Sequence, residues 1–273
     1  ITFGSSVVFN SATTYNISAT FDSNSNKVVI SYQDRGNNWY GTSIVGTVSG
    51  NDISFGSSST FNSGATSWIG STFDTSSNKV VVAYRDNDNG GKGTAAVGTV
   101  SGTSISFGSE SIFNNANTYY ATPVFNSAGN KVVIAYQDAG DSYTGYAIVG
   151  TVSGTSISFG SESQFNSSET NHITATYDSN QSKVVVAYRD SGDSNYGNSK
   201  VGSVSGTSIS FGAETTFESA SCYQISATDS SSNKVIIAYT DLDNSSYGTY
   251  VQGTVSGSSI SYGSPVVFES ATT

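Results

Sequence analysis

The string Ile-Ser-Phe-Gly starts at Ile53, Ile105, Ile157 and Ile209, with Ile-Thr-Phe-Gly at Ile1 and Ile-Ser-Tyr-Gly at Ile260. The step is 52 residues each time except the last, which is 51. Lys27, Lys79, Lys131, Lys183 and Lys234 keep the same step. The short step falls near Asp229, where the Thr-Phe-Asp of other copies contracts to Thr-Asp. A period of this size marks a repeat architecture, in which each unit buries its apolar faces against its neighbours. The units run approximately 1–52, 53–104, 105–156, 157–208 and 209–259, followed by a partial copy at 260–273.

Each unit reads as four strands. Strand a is the alternating stretch Ile17-Ser18-Ala19-Thr20-Phe21. Strand b, Lys27 to Tyr32, is a nearly unbroken apolar run, which implies burial on both faces. Strand c is Ser43 to Val48, Ser49-Gly50-Asn51-Asp52 turns the chain, and strand d is Ile53 to Phe61. No segment has helical periodicity. A four-stranded unit at this spacing predicts an all-β fold: a single β-propeller over 1–273 with five blades of four antiparallel strands. A β-helix coil would be shorter, and an immunoglobulin-like sandwich needs about 100 residues per domain. The two prolines agree. Pro123 falls in strand a and Pro265 in strand d, the two edge strands of a blade, where a missing N–H is tolerated.

Five blades need five d strands, and the chain holds six. Residues 1–14 and 260–273 are copies of one strand, so one is redundant. The spare is read either as the boundary of an excerpt or as a strand for exchange with another copy, since an unpaired strand is a template for another sheet edge. A head-to-tail contact of that kind would build an open filament.

Net charge is −10, which disfavours nucleic acid and anionic membrane surfaces as partners. Charged residues are only 11%, and Ser, Thr, Asn and Gly supply the polar surface, a style that suits an extracellular, cell-surface or virion protein. Cys222 stands alone, so no intrachain disulfide forms. No run is long and apolar enough to insert in a membrane as a helix. The chain begins without Met or a signal-peptide pattern, which is expected of a processed or excised form.

An up-and-down blade puts its d–a and b–c loops on one face. The b–c loops share Tyr-x-Asp, then Asn or Asp three residues on: Asp34/Asn37, Asp86/Asn89, Asp138/Asp141, Asp190/Asp193 and Asp241/Asn244. Such Asp residues hold Asx-turns. Their oxygens also suit a hard cation, so Asp86, Asp88, Asp138, Asp141, Asp190 and Asp193 are candidate Ca²⁺ ligands, and no other cofactor is indicated. No bidentate Glu follows Asp86-Asn87-Asp88-Asn89-Gly90 at a suitable distance. At the start of strand a one position changes in every copy: Asn16, Trp68, Tyr120, His172 and Gln224. Tyr15, Tyr119 and Tyr223 precede it in three copies, and Trp39 joins from a b–c loop. Rings beside amides suit sugars, because a ring stacks on a pyranose while amides bind its hydroxyls. Drift at an exposed loop is the competing reading of the same variation.

A lone histidine, His172, excludes His-rich metal sites and reads as one of the variable loop residues rather than a general base. Glycoside hydrolases need unlike carboxylates in unlike environments, whereas here the acidic positions repeat with the units, so no catalytic residue is assigned. In plan the chain resembles the tachylectin-2 type of lectin propeller, a likeness of architecture and repetition only. Its phrases Asn-Lys-Val-Val-Ile-Ala-Tyr-Gln-Asp and Gly-Thr-Val-Ser-Gly-Thr-Ser-Ile-Ser-Phe-Gly also resemble repeats of marine phage and bacterial exported proteins. The expected function is non-catalytic, multivalent recognition of a glycan or cell-surface polysaccharide. The alternative is a filament or fibre subunit that self-associates through 1–14 and 260–273.

Overall fold

The structure is a computed structural model that describes residues 2–230 and 232–273. The described residues form antiparallel strands with no α-helix; two 3-10 turns span Arg35–Asn37 and Ala139–Asp141. Two compact units divide the chain: Ile1–Phe125 with Thr151–Ser158, and Asn126–Gly150 with Phe159–Thr273.

The first unit holds β1 (Thr14–Asp22), β2 (Lys27–Asp34), β3 (Tyr40–Ser49), β4 (Asp52–Phe55), β5 (Ser59–Asp74), β6 (Lys79–Asp86), β7 (Lys92–Ser101), β8 (Ser104–Phe107) and most of β9 (Ser111–Asn126). β1, β2 and β3 pair in sequence. The second half of β3 then pairs with β4 and its first half with the start of β5. The end of β5 turns to a new partner, β6. Counting each repeat of the structure from its strand a to its strand d, strand d of one repeat therefore continues into strand a of the next. The d–a loops read from the sequence are, in this unit, a single 16-residue strand interrupted by bulges.

The second unit repeats the plan with β10 (Lys131–Asp138), β11 (Thr144–Ser153), β13 (Ser163–Asn166), β14 (Thr170–Asp178), β15 (Lys183–Asp190), β16 (Tyr196–Ser205), β17 (Ser208–Phe211), β18 (Thr215–Ser230), β19 (Lys234–Asp241), β20 (Tyr247–Ser256), β21 (Ser259–Tyr262) and β22 (Val266–Thr272). β12 (Ser156–Phe159) belongs mainly to the first unit. Here one d–a passage is broken in two, β13 then β14, and another is continuous, β18.

Local chemistry sets these elements. The b strands of the three middle repeats are Val-rich and buried on both faces, Val80, Val81, Val82, Ala83 and Tyr84 being fully buried, whereas β2 and β19 keep one face half-buried at Val28, Ile30 and Ile236. The a–b turn closes on an Asx motif, with Asp22 accepting from the amides of Asn24 and Ser25 and Asn26 in the left-handed region. The Ser-Gly of the c–d turn needs glycine because Gly50 sits at φ 61°. The Phe-Gly step has a packing reason. A Cβ on Gly56 would lie 1.9 Å from the carbonyl oxygen of Thr103 in the next repeat.

The core lies between successive repeats. Val29, Val45 and Phe61 of the first repeat meet Ile69, Phe73, Val80, Val82 and Tyr84 of the second. Val185, Val201 and Phe217 meet Ile225, Val235, Ile237 and Tyr239 in the same way. Each such Val or Ile contributes about 1.5–3 kcal/mol by burial, so a charge at Val82 would break the joint.

Three details differ from the sequence reading. Pro265 lies in the gap between β21 and β22, not within a strand. The short fifth repeat aligns Asp229 opposite Val235, the register that Phe21 and Phe73 hold opposite Val28 and Val80. The chain thus loses a turn residue, and Asp229 stands in the phenylalanine position. Of the two end copies, 260–273 completes the fifth repeat, pairing β22 with β20, while residues 2–13 form no strand.

Candidate functional site

The site is built where strand b ends and strand a begins. The pairing of β1 with β2 steps from Tyr15↔Gln33 to Ser18↔Ser31, so two residues on one strand face one on the other. The same bulge recurs after Ser67, Asn171 and Tyr223. Such a bulge re-aims side chains and puts an extra residue into the left-handed region. That extra residue is the variable position: Asn16, Trp68, Tyr120, His172 and Gln224 have φ of 50, 53, 53, 51 and 51°. Asn tolerates this conformation. His follows Asn in this, whereas Trp and Tyr are bulkier and each costs on the order of 1 kcal/mol or more. Strained aromatic residues held at equivalent places argue against free drift. The b–c loop adds more, since Trp39 and Tyr143 lie at φ 65 and 62°.

The side chain that joins these residues across repeats is the middle one of Tyr-x-Asp: Gln33, Arg85, Gln137, Arg189 and Thr240. It was not singled out in the sequence. The chain has three arginines, Arg35, Arg85 and Arg189, and each lies over an aromatic ring. An arginine alternating with glutamine in an otherwise uniform strand was the available signal.

Between the second and third repeats, the Arg85 guanidinium carbon is 4.7 Å from the centre of the Tyr119 ring. Trp68 meets Tyr119 edge-on at 5.7 Å and Tyr120 at 4.4 Å. Asn117 Nδ2 donates to the Tyr119 hydroxyl at 3.1 Å. Arg85 Nε and Asn117 Oδ1 are buried and have no hydrogen-bond partner among the described residues. Both flank Gly91, whose Cβ, if present, would lie 2.8 and 2.3 Å from them. An orphaned donor beside an orphaned acceptor is a costly arrangement.

Between the fourth and fifth repeats, Arg189 lies 4.4 Å over Tyr223, and His172 meets Tyr223 edge-on at 5.0 Å. Arg189 Nε is likewise buried without a partner. Burial, and then the Arg189 charge, pull the His172 pKa down to about 4, so the ring is neutral in neutral solution.

The glutamine joints differ. Asn16 Nδ2 donates to Gln33 Oε1 at 3.1 Å, and Asn16 Oδ1 accepts from the Trp68 amide. Gln137 Nε2 donates to the Thr170 carbonyl at 2.6 Å and to Asn171 Oδ1 at 3.2 Å. Tyr15 and Trp39 stack at 5.9 Å beside the first of these, with Arg35 at 5.0 Å. Gln224 lies on an open cavity of about 180 Å³ that it shares with Thr240, Tyr239, Phe268 and Thr273.

The aspartates hold loops. Asp34, Asp138 and Asp190 accept from the amides of Gly36, Gly140 and Gly192. Asp141 takes the Tyr146 hydroxyl at 2.6 Å, Asp193 takes Asn198 Nδ2, and Asp88 takes the Ala65 amide. Asp86 and Asp88 converge on Gly64, but among the described residues no group of three or more His, Cys, Asp or Glu forms a cluster able to hold a metal.

No protein-family model matches the chain, and no curated protein sequence does. Solved structures do. The SapL1 lectin, in complex with α-methyl fucoside, superposes with a TM-score of 0.58 at 15% identity, covering 92% of this chain and 80% of that one. The fungal lectin of Aleuria aurantia, a six-bladed β-propeller with a fucose recognition mode, gives 0.53 at 13%, covering 93% and 77%. The NanB sialidase of Streptococcus pneumoniae gives 0.52 at 17%, covering 84% and 39%. The fold is thus of the β-propeller class, shared by binding proteins and enzymes alike.

Proposed function

We propose that the protein is a non-catalytic, multivalent carbohydrate-binding propeller of five blades, working outside the cell or on a virion surface. The observation that carries this reading is the repeated arginine joint. At two equivalent places, a guanidinium lies over a tyrosine beside an aromatic or imidazole ring held at positive φ. A pyranose offers an apolar face to the rings and hydroxyls to Arg85, Asn117 and Arg189. Two like sites in one chain raise avidity on a surface that presents many glycans. The similar lectins add support, since their described ligands are fucosides.

Binding without turnover is favoured over hydrolysis by what the carboxylates do. Glu214 accepts from the buried Tyr188 hydroxyl and Glu218 from that of Tyr239 at 2.7 Å, and the loop aspartates hold turns. A glycan array that includes fucosides tests the reading, read beside hydrolysis of fluorogenic glycosides, sialosides among them. Binding lost on Arg85→Ala and Arg189→Ala, with no hydrolysis, is the expected result. An array blank for every sugar would sink it, and so would turnover.

A further inference from the structure

Strand d of each interior repeat seats on the following repeat through a phenylalanine and a glycine. Phe61 packs on Tyr84 at 5.1 Å and on Phe107 at 5.6 Å, and Phe217 packs on Tyr239 at 5.4 Å and on Tyr262 at 6.0 Å. Beside them, Gly56 and Gly212 press on the carbonyls of Thr103 and Ser258. Residues 2–13 occupy the same seat on the first repeat without belonging to a sheet. Phe9 lies 5.2 Å from Tyr32 and 6.0 Å from Phe55, and a Cβ on Gly4 would lie 2.0 Å from the Asn51 carbonyl oxygen. Asn10 Nδ2 donates to Asp34, and the Thr13 carbonyl accepts from the Arg35 amide. Much of this seat stays open: Ile17 and Phe21 are 53% exposed, whereas Ile69 and Phe73 are 8 and 7%.

Strand β22 is the converse case, paired to its sheet and exposed along its length. Phe268 is 61% exposed where Phe61 and Phe217 are 5 and 6%, and a Cβ on Gly263 would meet nothing closer than the Gln252 oxygen of its own repeat, at 3.9 Å. The two end segments also match each other. Residues 5–14 and 264–273 differ only at Ser6/Pro265 and Asn10/Glu269. Both carry Val-Val before the phenylalanine, where the interior copies carry Ser59-Thr60, Ser111-Ile112, Ser163-Gln164 and Thr215-Thr216.

We infer that the seat now held by residues 2–13 is a docking surface for strand 260–273 of a second copy of the chain. Phe268 takes the place of Phe9 on Tyr32 and Phe55, and Val266-Val267 take that of Val7-Val8. Glu269 receives the Tyr32 hydroxyl as Glu218 receives that of Tyr239. The incoming strand repeats the apolar contacts of the segment it displaces, gives up the Asn10–Asp34 hydrogen bond, and brings its own sheet partner, β20. The joint is reversible, because Gln252 and Tyr250 stand at its centre where interior repeats place Val201 and Ser199. Net charge of −10 on each copy opposes the contact at low salt.

Sedimentation velocity of the full chain across a concentration series in 0.15 M salt tests this. Head-to-tail association that grows with concentration is expected. Phe268→Ala, at an exposed position that leaves the fold intact, weakens it by about tenfold or more. Phe9→Ala, which loosens the resident segment, strengthens it severalfold. A monomer at every concentration, in both the native chain and Phe9→Ala, would overturn the inference. So would association that Phe268→Ala leaves unchanged.

Discussion

The arginine joints and the glutamine joints sit on the same bulge and the same Tyr-x-Asp ending, yet they do opposite things with their polar groups. Gln33 and Gln137 spend theirs on Asn16, Thr170 and Asn171, inside the protein. Arg85 and Arg189 turn a guanidinium face to Tyr119 and Tyr223 and leave Nε buried and unpaired. A joint that satisfies itself has nothing to offer a ligand, whereas an unsatisfied buried donor is a standing cost. One residue type, placed at every second repeat, thus separates packing joints from candidate binding joints.

The sharpest way to break this comparison is to remove both arginines. Each Arg→Ala change is expected to weaken its own site by about 10- to 100-fold, the range of a charged hydrogen bond. The double variant should lose avidity on a glycan-coated sensor surface altogether; retention by the double variant would refute the assignment. The converse change is next in size. Gln137→Arg combined with Asn171→Tyr should turn a packing joint into a binding joint, adding one equivalent of sugar per chain by calorimetry. Unchanged stoichiometry would mean that the arginine alone does not make the site.

Strain separates position from packing. Trp68→Gly and Trp68→Ala both delete the ring, but only glycine relaxes φ 53°. Chemical denaturation should find the Gly variant more stable by about 1 kcal/mol. Equal stabilities would remove the strained-bulge argument.

A smaller effect distinguishes the two arginine joints. His172 has its pKa lowered to about 4, below the roughly 6.5 of an unfolded chain. The folded state therefore prefers the neutral ring. That contribution is complete above pH 6.5, declines as pH falls towards 4, and is level below. It is modest, since the ring is partly exposed and solvent screens it. His172→Gln should flatten this part of the stability–pH curve, while Trp68→Gln should not alter its shape. The smallest effect concerns cations. With the loop aspartates engaged in turns, EDTA or added Ca²⁺ should shift neither melting temperature nor glycan affinity, and a calcium-dependent shift in either would reopen the cation reading of Asp86 and Asp88.

Much of the fold was legible because a repeat declares itself. Period, strand pattern and turn chemistry recur, so each copy checks the others, and the b strand's unbroken apolar run stated directly its double burial in the three middle repeats. The candidate site was half legible. Variation at Asn16, Trp68, Tyr120, His172 and Gln224 stood out against constant neighbours. That these residues share one left-handed bulge could not be read, because Trp and Tyr give no signal of positive φ. The role of Arg85 and Arg189 was hidden too. Their partners are in the next repeat, at Tyr119 and Tyr223, 34 residues on in each case.

By itself, the sequence determined the repeat, its four strands and the valine-lined faces, because local hydrogen bonding and side-chain alternation act within a few residues. Only the tertiary structure decided which polar residues close on one another and which are left waiting. It also decided that 260–273 joins a sheet while residues 2–13 merely rest on one. Those outcomes depend on the distance between groups in neighbouring repeats, and the burial that makes an unpaired donor costly exists only once the repeats are stacked.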